Sequence, residues 1–431
     1  MSQYTEILHI KAETLSMEDD GYEESLLEVA TLFRSFDEAF TAFMVNHGYR
    51  GDVEDVSAKA RFLRQKFESA HVKLPHSFKE WFVPNRKLSR KTVFQICFAF
   101  GLGVDETNDF FRCVQFERGF DCHTIREAVY YFCMRKGLSY LEAQALIDRI
   151  PVPRKVKVIP DHEVLYTGTI IEALNRIDDS DALIEYIEDH IDDFRYNNVT
   201  AIKYIRELWT EISGTNGLAV QEGRLIDKAY NRYEDKQKKG MSDTRPAEVI
   251  AEEIDRQEKE VKPYDYVVAG SDASTWTIFS QIIGLANYQE MTYSTLYDRS
   301  LSSVLSENKL LPLKADYCFP SRQSIDKLVR GEFVGDDEMI RKLLIFLVFY
   351  TYWVKQLIRK NNVFFTAAFS DSERCLDTIN ARLLDAGYPE LYVGNPYDWL
   401  FQWALNDENP LIAFRHYIGE VFAIKAETSE D

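Results

Sequence analysis

The sequence predicts an all-α fold, mostly helical and arranged as several multi-helical domains. Three observations predict it. Gly and Pro number only 19 and 12 in 431 residues, so helix-breaking punctuation is scarce. Apolar residues recur at spacings of three and four over long stretches. Hydrophobic residues make up 45% of the chain, enough for sizeable cores. At most one minor strand pair is expected, since Pro153–Pro160 (PRKVKVIP) and Tyr264–Ala269 (YDYVVA) read as extended.

The elements follow in chain order. In Ser25–Tyr49, the residues Leu26, Val29, Phe33, Phe36, Phe40 and Phe43 trace one broad helical face. A single long amphipathic segment, Val53–Val72, follows. Ser77 suits the N-cap of a short helix, Ser77–Phe82, that must end before Pro84. A helix from about Ser89 carries Val93, Ile96, Cys97 and Phe100 and stops at Gly101-Leu102-Gly103. Another opens near Asp105, and one runs from about Thr124 to Gly137. Ser139 with Glu142 three residues on is a capping box, starting a helix to Ile147. Ile170–Tyr204 reads as two helices separated by a turn at Asp178–Ser180. The apolar run Leu343–Val354 is about 12 residues long. It is short of the roughly 20 that a membrane span needs, so a buried core helix is expected there. Near the C-terminus Asn395 is placed to cap a helix with Pro396 in its first position and Asp398 in its first turn.

Punctuation divides the chain near 155 and 260. Residues 1–155 read as an N-terminal helical domain with a compact module over about 53–150. Residues 156–260 read as an acidic helical middle with a charged linker, and 261–431 as a C-terminal helical domain.

The 53–150 region carries a family resemblance. SFKEWF (77–82), PNRKLSRKTVFQICFAFGLGVDET (84–107) and NDFFRCV (108–114) together resemble the later part of a repressor-type helix-turn-helix domain of bacteria, of the lambda repressor-like or XRE-like kind. The resemblance implies a recognition helix at 77–82 and contact with duplex DNA. PSRQSIDKLVRGE (320–332) is similar to a second such recognition helix. A degenerate internal duplication is the corresponding expectation. Laying Asn380 on Asn108 without a gap pairs Leu383 with Phe111, Ala386 with Val114, Tyr388 with Phe116, Tyr392 with Phe120 and Leu400 with Ala128. The alternative is two helical segments sharing a period by chance.

Charge bears on the same question. Lys+Arg number 51 and Asp+Glu 70, a net of -19, so any nucleic-acid contact must use a local basic patch. Lys73, Lys79, Arg86, Lys87, Arg90 and Lys91 against Glu80 form one such patch. Arg322, Lys327 and Arg330 against Asp326 form another. The expected nucleic-acid contacts are Lys79, Arg86, Lys87, Arg90, Lys91, Arg322 and Lys327. Lys87 and Arg90 are placed for phosphate, and Lys79 for a groove. The eight acids between Asp178 and Asp193, with no Lys or Arg among them, would repel a duplex or mimic one.

No phosphate-loop, dinucleotide, metalloprotease or nucleophile-elbow motif is present, and no catalytic residue or cofactor is expected. The spacing of Cys113, Cys122, His123 and Cys133 matches no common zinc pattern, so these read as core residues and no metal site is expected. Six cysteines without framework spacing, and a first segment without a secretory pattern, point to a reduced, cytoplasmic setting. Three readings stay open. One is a non-enzymatic DNA-associated regulator. The second is a helical protein–protein scaffold whose modules no longer bind DNA. The third is an enzyme without a recognisable motif. No membrane partner is expected in any of them.

Overall fold

The computed structural model describes residues 3–16, 21–22, 25, 28–29, 32–83, 88–151, 167–195, 198–228, 273–284, 327, 329–330, 337–363 and 365–417. Every regular element among them is a helix, so the fold is all-α. The extended tracts expected at 153–160 and 264–269 lie outside the described residues.

In order the helices are α1 (Gln3–Thr14), α2 (Phe36–Asn46), α3 (Val56–Ser69), a 3-10 turn (Phe78–Phe82), α4 (Arg90–Phe100) and α5 (Val104–Phe110). A π-turn, Phe111–Gln115, extends α5, and α6 (Ile125–Lys136), α7 (Tyr140–Arg149), α8 (Thr167–Arg176) and α9 (Ser180–Asp189) follow. Then come α10 (Val199–Ser213), α11 (218–228), α12 (Thr275–Ile283), α13 (Asp337–Lys360), α14 (Phe369–Asp385), α15 (Pro396–Leu405) and α16 (410–417).

The caps are those the residues dictate. Ser89 accepts from the Thr92 N–H, and Gly101 and Gly137 end α4 and α6 in the left-handed conformation. Ser139 and Glu142 close their capping box, and Asn395 accepts from the Tyr397 N–H ahead of Pro396. The broad face expected over Ser25–Tyr49 is broken at Ser35. This residue starts α2 through a box with Glu38, the Ser35 N–H and hydroxyl both donating to the Glu38 carboxylate at 2.7 and 2.9 Å.

Two cores sort the helices. Helices α2 to α9 build the first, around Phe40, Leu63, Phe94, Phe111, Val129 and Ile187. The second collects α10 to α16 together with α1. The divisions expected at 155 and 260 do not follow these cores. Helices α8 and α9 bury Ile170, Leu174, Leu183 and Ile187 in the first core, while α10 buries Ile202, Ile205 and Trp209 in the second. An amphipathic helix belongs to whichever core takes its apolar face, and the described helices of 156–260 divide between the two cores. Helix α1 joins the distant end of the chain. Its Leu8 and the following Leu15 accept at their carbonyls from the indole N–H groups of Trp399 (3.0 Å) and Trp403 (2.8 Å).

Leu343–Val354 lies in the interior of α13, where Leu343 to Tyr350, Trp353 and Val354 are buried. No helix among the described residues is long and apolar enough to cross a membrane.

Candidate nucleic-acid interface

Two helices, α2 and α3, precede the 3-10 turn and both pack on it. The single amphipathic segment expected at Val53–Val72 is one helix, α3, and α2 lies upstream of it within the face expected over Ser25–Tyr49. The stretch from α3 to the turn, 70–77, is longer than the three or four residues that join a DNA-reading helix pair. The turn is one five-residue 3-10 piece, and Phe78, Trp81 and Phe82 are buried beneath it. Only Lys79, Glu80 and the following Val83 face solvent.

Of the expected contact residues, Lys79 and Lys91 are exposed. Lys327 is half-buried in a helical position. Arg86, Lys87 and Arg322 lie outside the described residues.

Arg90 is different. Its Nε and Nη2 donate to the two Glu127 carboxylate oxygens at 2.9 and 2.7 Å. Nη1 donates to the Arg118 carbonyl at 2.9 Å and Nη2 to the Gly119 carbonyl at 2.6 Å. The guanidinium lies 4.7 Å from the Phe111 ring centroid. Its planar fork is thus spent on a carboxylate and two carbonyls of its own chain. The expected phosphate contact by Arg90 does not fit this geometry, because releasing the guanidinium would strand the buried Glu127. Sequence alone hid this, since Glu127 stands 37 positions away.

The structure adds two residues that the sequence reading missed. Helix α3 buries Ala60, Leu63 and Phe67, which turns Arg61 and Arg64 outward. Arg64 stacks over Phe78 at 5.3 Å and so joins α3 to the 3-10 turn. The signal was available. Residues 56–91 hold ten Lys and Arg against two acids, in a chain whose net charge is -19. Arg61, Arg64, Lys73, Lys79 and Lys91 are the exposed members on the described residues; Lys73 lies in the connecting stretch and the other four on three successive elements, with α3 packed on both others.

Of the cysteine–histidine group, Cys122, His123 and Cys133 are buried and Cys113 is half-buried. Burial pushes the Cys97 and Cys133 thiols up to about 12, too high for a thiolate near neutral pH. Burial holds His123 below its usual range, and its Nδ1 lies 3.1 Å from the Asp193 carbonyl. Among the described residues, no three His, Cys, Asp or Glu side chains are disposed to hold a metal.

The first core meets the second at a buried polar cluster. Arg118 donates through Nη1 to Asn198 Oδ1 and through Nη2 to the Ala386 carbonyl (3.3 Å), and pairs with Asp121 at 3.3 Å. Tyr388 donates to Asn198 at 3.1 Å, and its ring lies under Arg118 at 4.8 Å. Comparison with family models, with curated proteins and with solved structures returned no match in any of the three.

Proposed function

We propose that this is a non-enzymatic, DNA-associated regulatory protein of the helix-turn-helix type that grips the duplex by its phosphates. The supporting observation is the concentration of ten basic residues against two acidic ones in 56–91, within a strongly acidic chain. Clustered Lys and Arg on helical elements are what a phosphate backbone selects. The five-residue turn offers little side-chain surface for base edges, so affinity is expected to depend weakly on sequence. The reading carries a cytoplasmic setting with it. Cys97, Cys113, Cys122, Cys133 and Cys375 are free thiols, as a reducing compartment would keep them.

The helical interaction scaffold is the second reading. The burial of Phe78, Trp81 and Phe82 favours it, because a turn held down on three aromatics is a poor probe of a groove.

A salt series with purified protein and duplex DNA separates the two. If all five exposed basic residues engage phosphate, log K falls against log salt with a slope of about -4 to -5. Arg61→Glu with Arg64→Glu should flatten that slope by about two. Absence of binding at low salt would overturn the DNA reading and leave the scaffold.

A further inference from the structure

We infer that the chain contains two copies of one helical unit, and that the first copy holds a single extra residue in its π-turn. The first copy runs from α4 to α7 and the second from α13 to α16. Helical period does not make the case; a set of non-periodic contacts does.

In the first copy the Asn108 side chain accepts from the Phe120 N–H (3.4 Å), and Arg90 donates to the Arg118 carbonyl (2.9 Å). Glu127 takes the Arg90 guanidinium with both oxygens and also accepts from the Asp121 N–H (2.6 Å). Glu127 is the third residue of a helix capped at Thr124. In the second copy the Asn380 side chain accepts from the Leu391 N–H (3.0 Å), and Arg341 donates to the Pro389 carbonyl (3.4 Å). Asp398 takes the Arg341 guanidinium at 2.6 and 2.8 Å and accepts from the Tyr392 N–H (2.9 Å). Asp398 is the third residue of a helix capped at Asn395.

Arg118 thus answers to Pro389, Phe120 to Leu391, Asp121 to Tyr392, Thr124 to Asn395 and Glu127 to Asp398. Every one of these pairs has the same separation along the chain. The core follows the same register, since Val129 and Leu400, Tyr130 and Phe401, and Cys133 and Ala404 are all fully buried.

The two asparagines stand one residue further apart than these loop pairs, whereas Arg90 and Arg341 stand closer, the second copy having the longer arginine-bearing helix, α13 against α4. The surplus can be located. The helix bearing Asn380 closes with the Tyr388 N–H bonded to the Leu383 carbonyl (2.8 Å), around left-handed Gly387. The helix bearing Asn108 closes with the Glu117 N–H bonded to the Phe111 carbonyl (3.0 Å), around left-handed Phe116. The first closure spans five residues and the second six. The stretch between Phe111 and Phe116 is the π-turn, whose i→i+5 bonding takes up one more residue than an α-turn. The ungapped alignment on Asn108 and Asn380 is therefore correct at Phe111 and Leu383 and one residue out from Phe116 onward. Phe116 answers to Gly387, not Tyr388. Each unit's loop end is occupied by the other, through Arg118 over Tyr388 and Arg112 over Tyr392 (5.8 Å).

Single-residue deletions in the full chain test this. Deleting Cys113 from the π-turn should convert it to the α-geometry of the second copy and leave the melting temperature within about 4 °C of the parent. Deleting Leu384 from α14, which has no surplus residue, should lower it by more than about 10 °C. Amide exchange at Phe120 and Asp121 should stay slow in the Cys113 deletion, because the loop keeps its anchors. Equal damage from the two deletions, or rapid exchange at those amides without Cys113, would overturn the inference.

Discussion

Helices α3 and α10 occupy comparable places, each packed against the helix that carries its unit's buried arginine, yet their outer surfaces differ. Helix α3 presents Arg61 and Arg64 with Glu68, whereas α10 presents Glu207 and Glu211. The buried sides of both are mainly apolar, with Lys59 on α3 and Thr200 on α10 the polar exceptions. The difference teaches that the packing geometry constrains only the inner face. The outer face is free to carry the charge that decides which polyanion, if any, is approached.

The arginine locks differ too, and this gives the largest expected effect. Arg341 and Asp398 are 5% and 1% exposed, while Arg90 and Glu127 are 21% and 10% exposed. Removing one partner of a buried pair strands the other charge at a cost of about 3–5 kcal/mol. Asp398→Ala should approach that loss in urea denaturation. Glu127→Ala should cost less, because Arg90 keeps two carbonyl partners and more water. A larger loss for Glu127→Ala would reverse the comparison.

One pH effect is set in the first core. Burial depresses the His123 pKa below its unfolded value, so the unfolded chain binds more protons as pH falls through about 6.5. Stability should therefore decline as pH drops below about 6.5, and His123→Gln should flatten that part of the curve. An unchanged slope in the variant would remove His123 from the account.

A smaller effect sharpens the role of caps. Ser139→Ala removes the hydroxyl that accepts from the Glu142 N–H, and should cost about 1 kcal/mol by thermal unfolding.

These caps were the most legible part of the sequence. Ser139 with Glu142, and Asn395 with Pro396, act within one turn, so a local pattern suffices to place them. The helical class was legible for the same reason. The arginine locks were not, because a carboxylate 37 or 57 positions away leaves no local trace. Nor was the return of α1 to α15, which rests on two indole N–H groups nearly the whole chain away. The basic cluster was half legible. The 73–91 cluster stood out, but Arg61 and Arg64 needed the burial of Leu63 and Phe67 to define the outward side of α3.

The most direct test of the central claim compares amide exchange across the chain with and without duplex DNA at low salt. Added DNA should slow exchange within 56–91 and leave α10 and α13–α16 unchanged. Slowing confined to the second unit, or none within 56–91, would contradict the account.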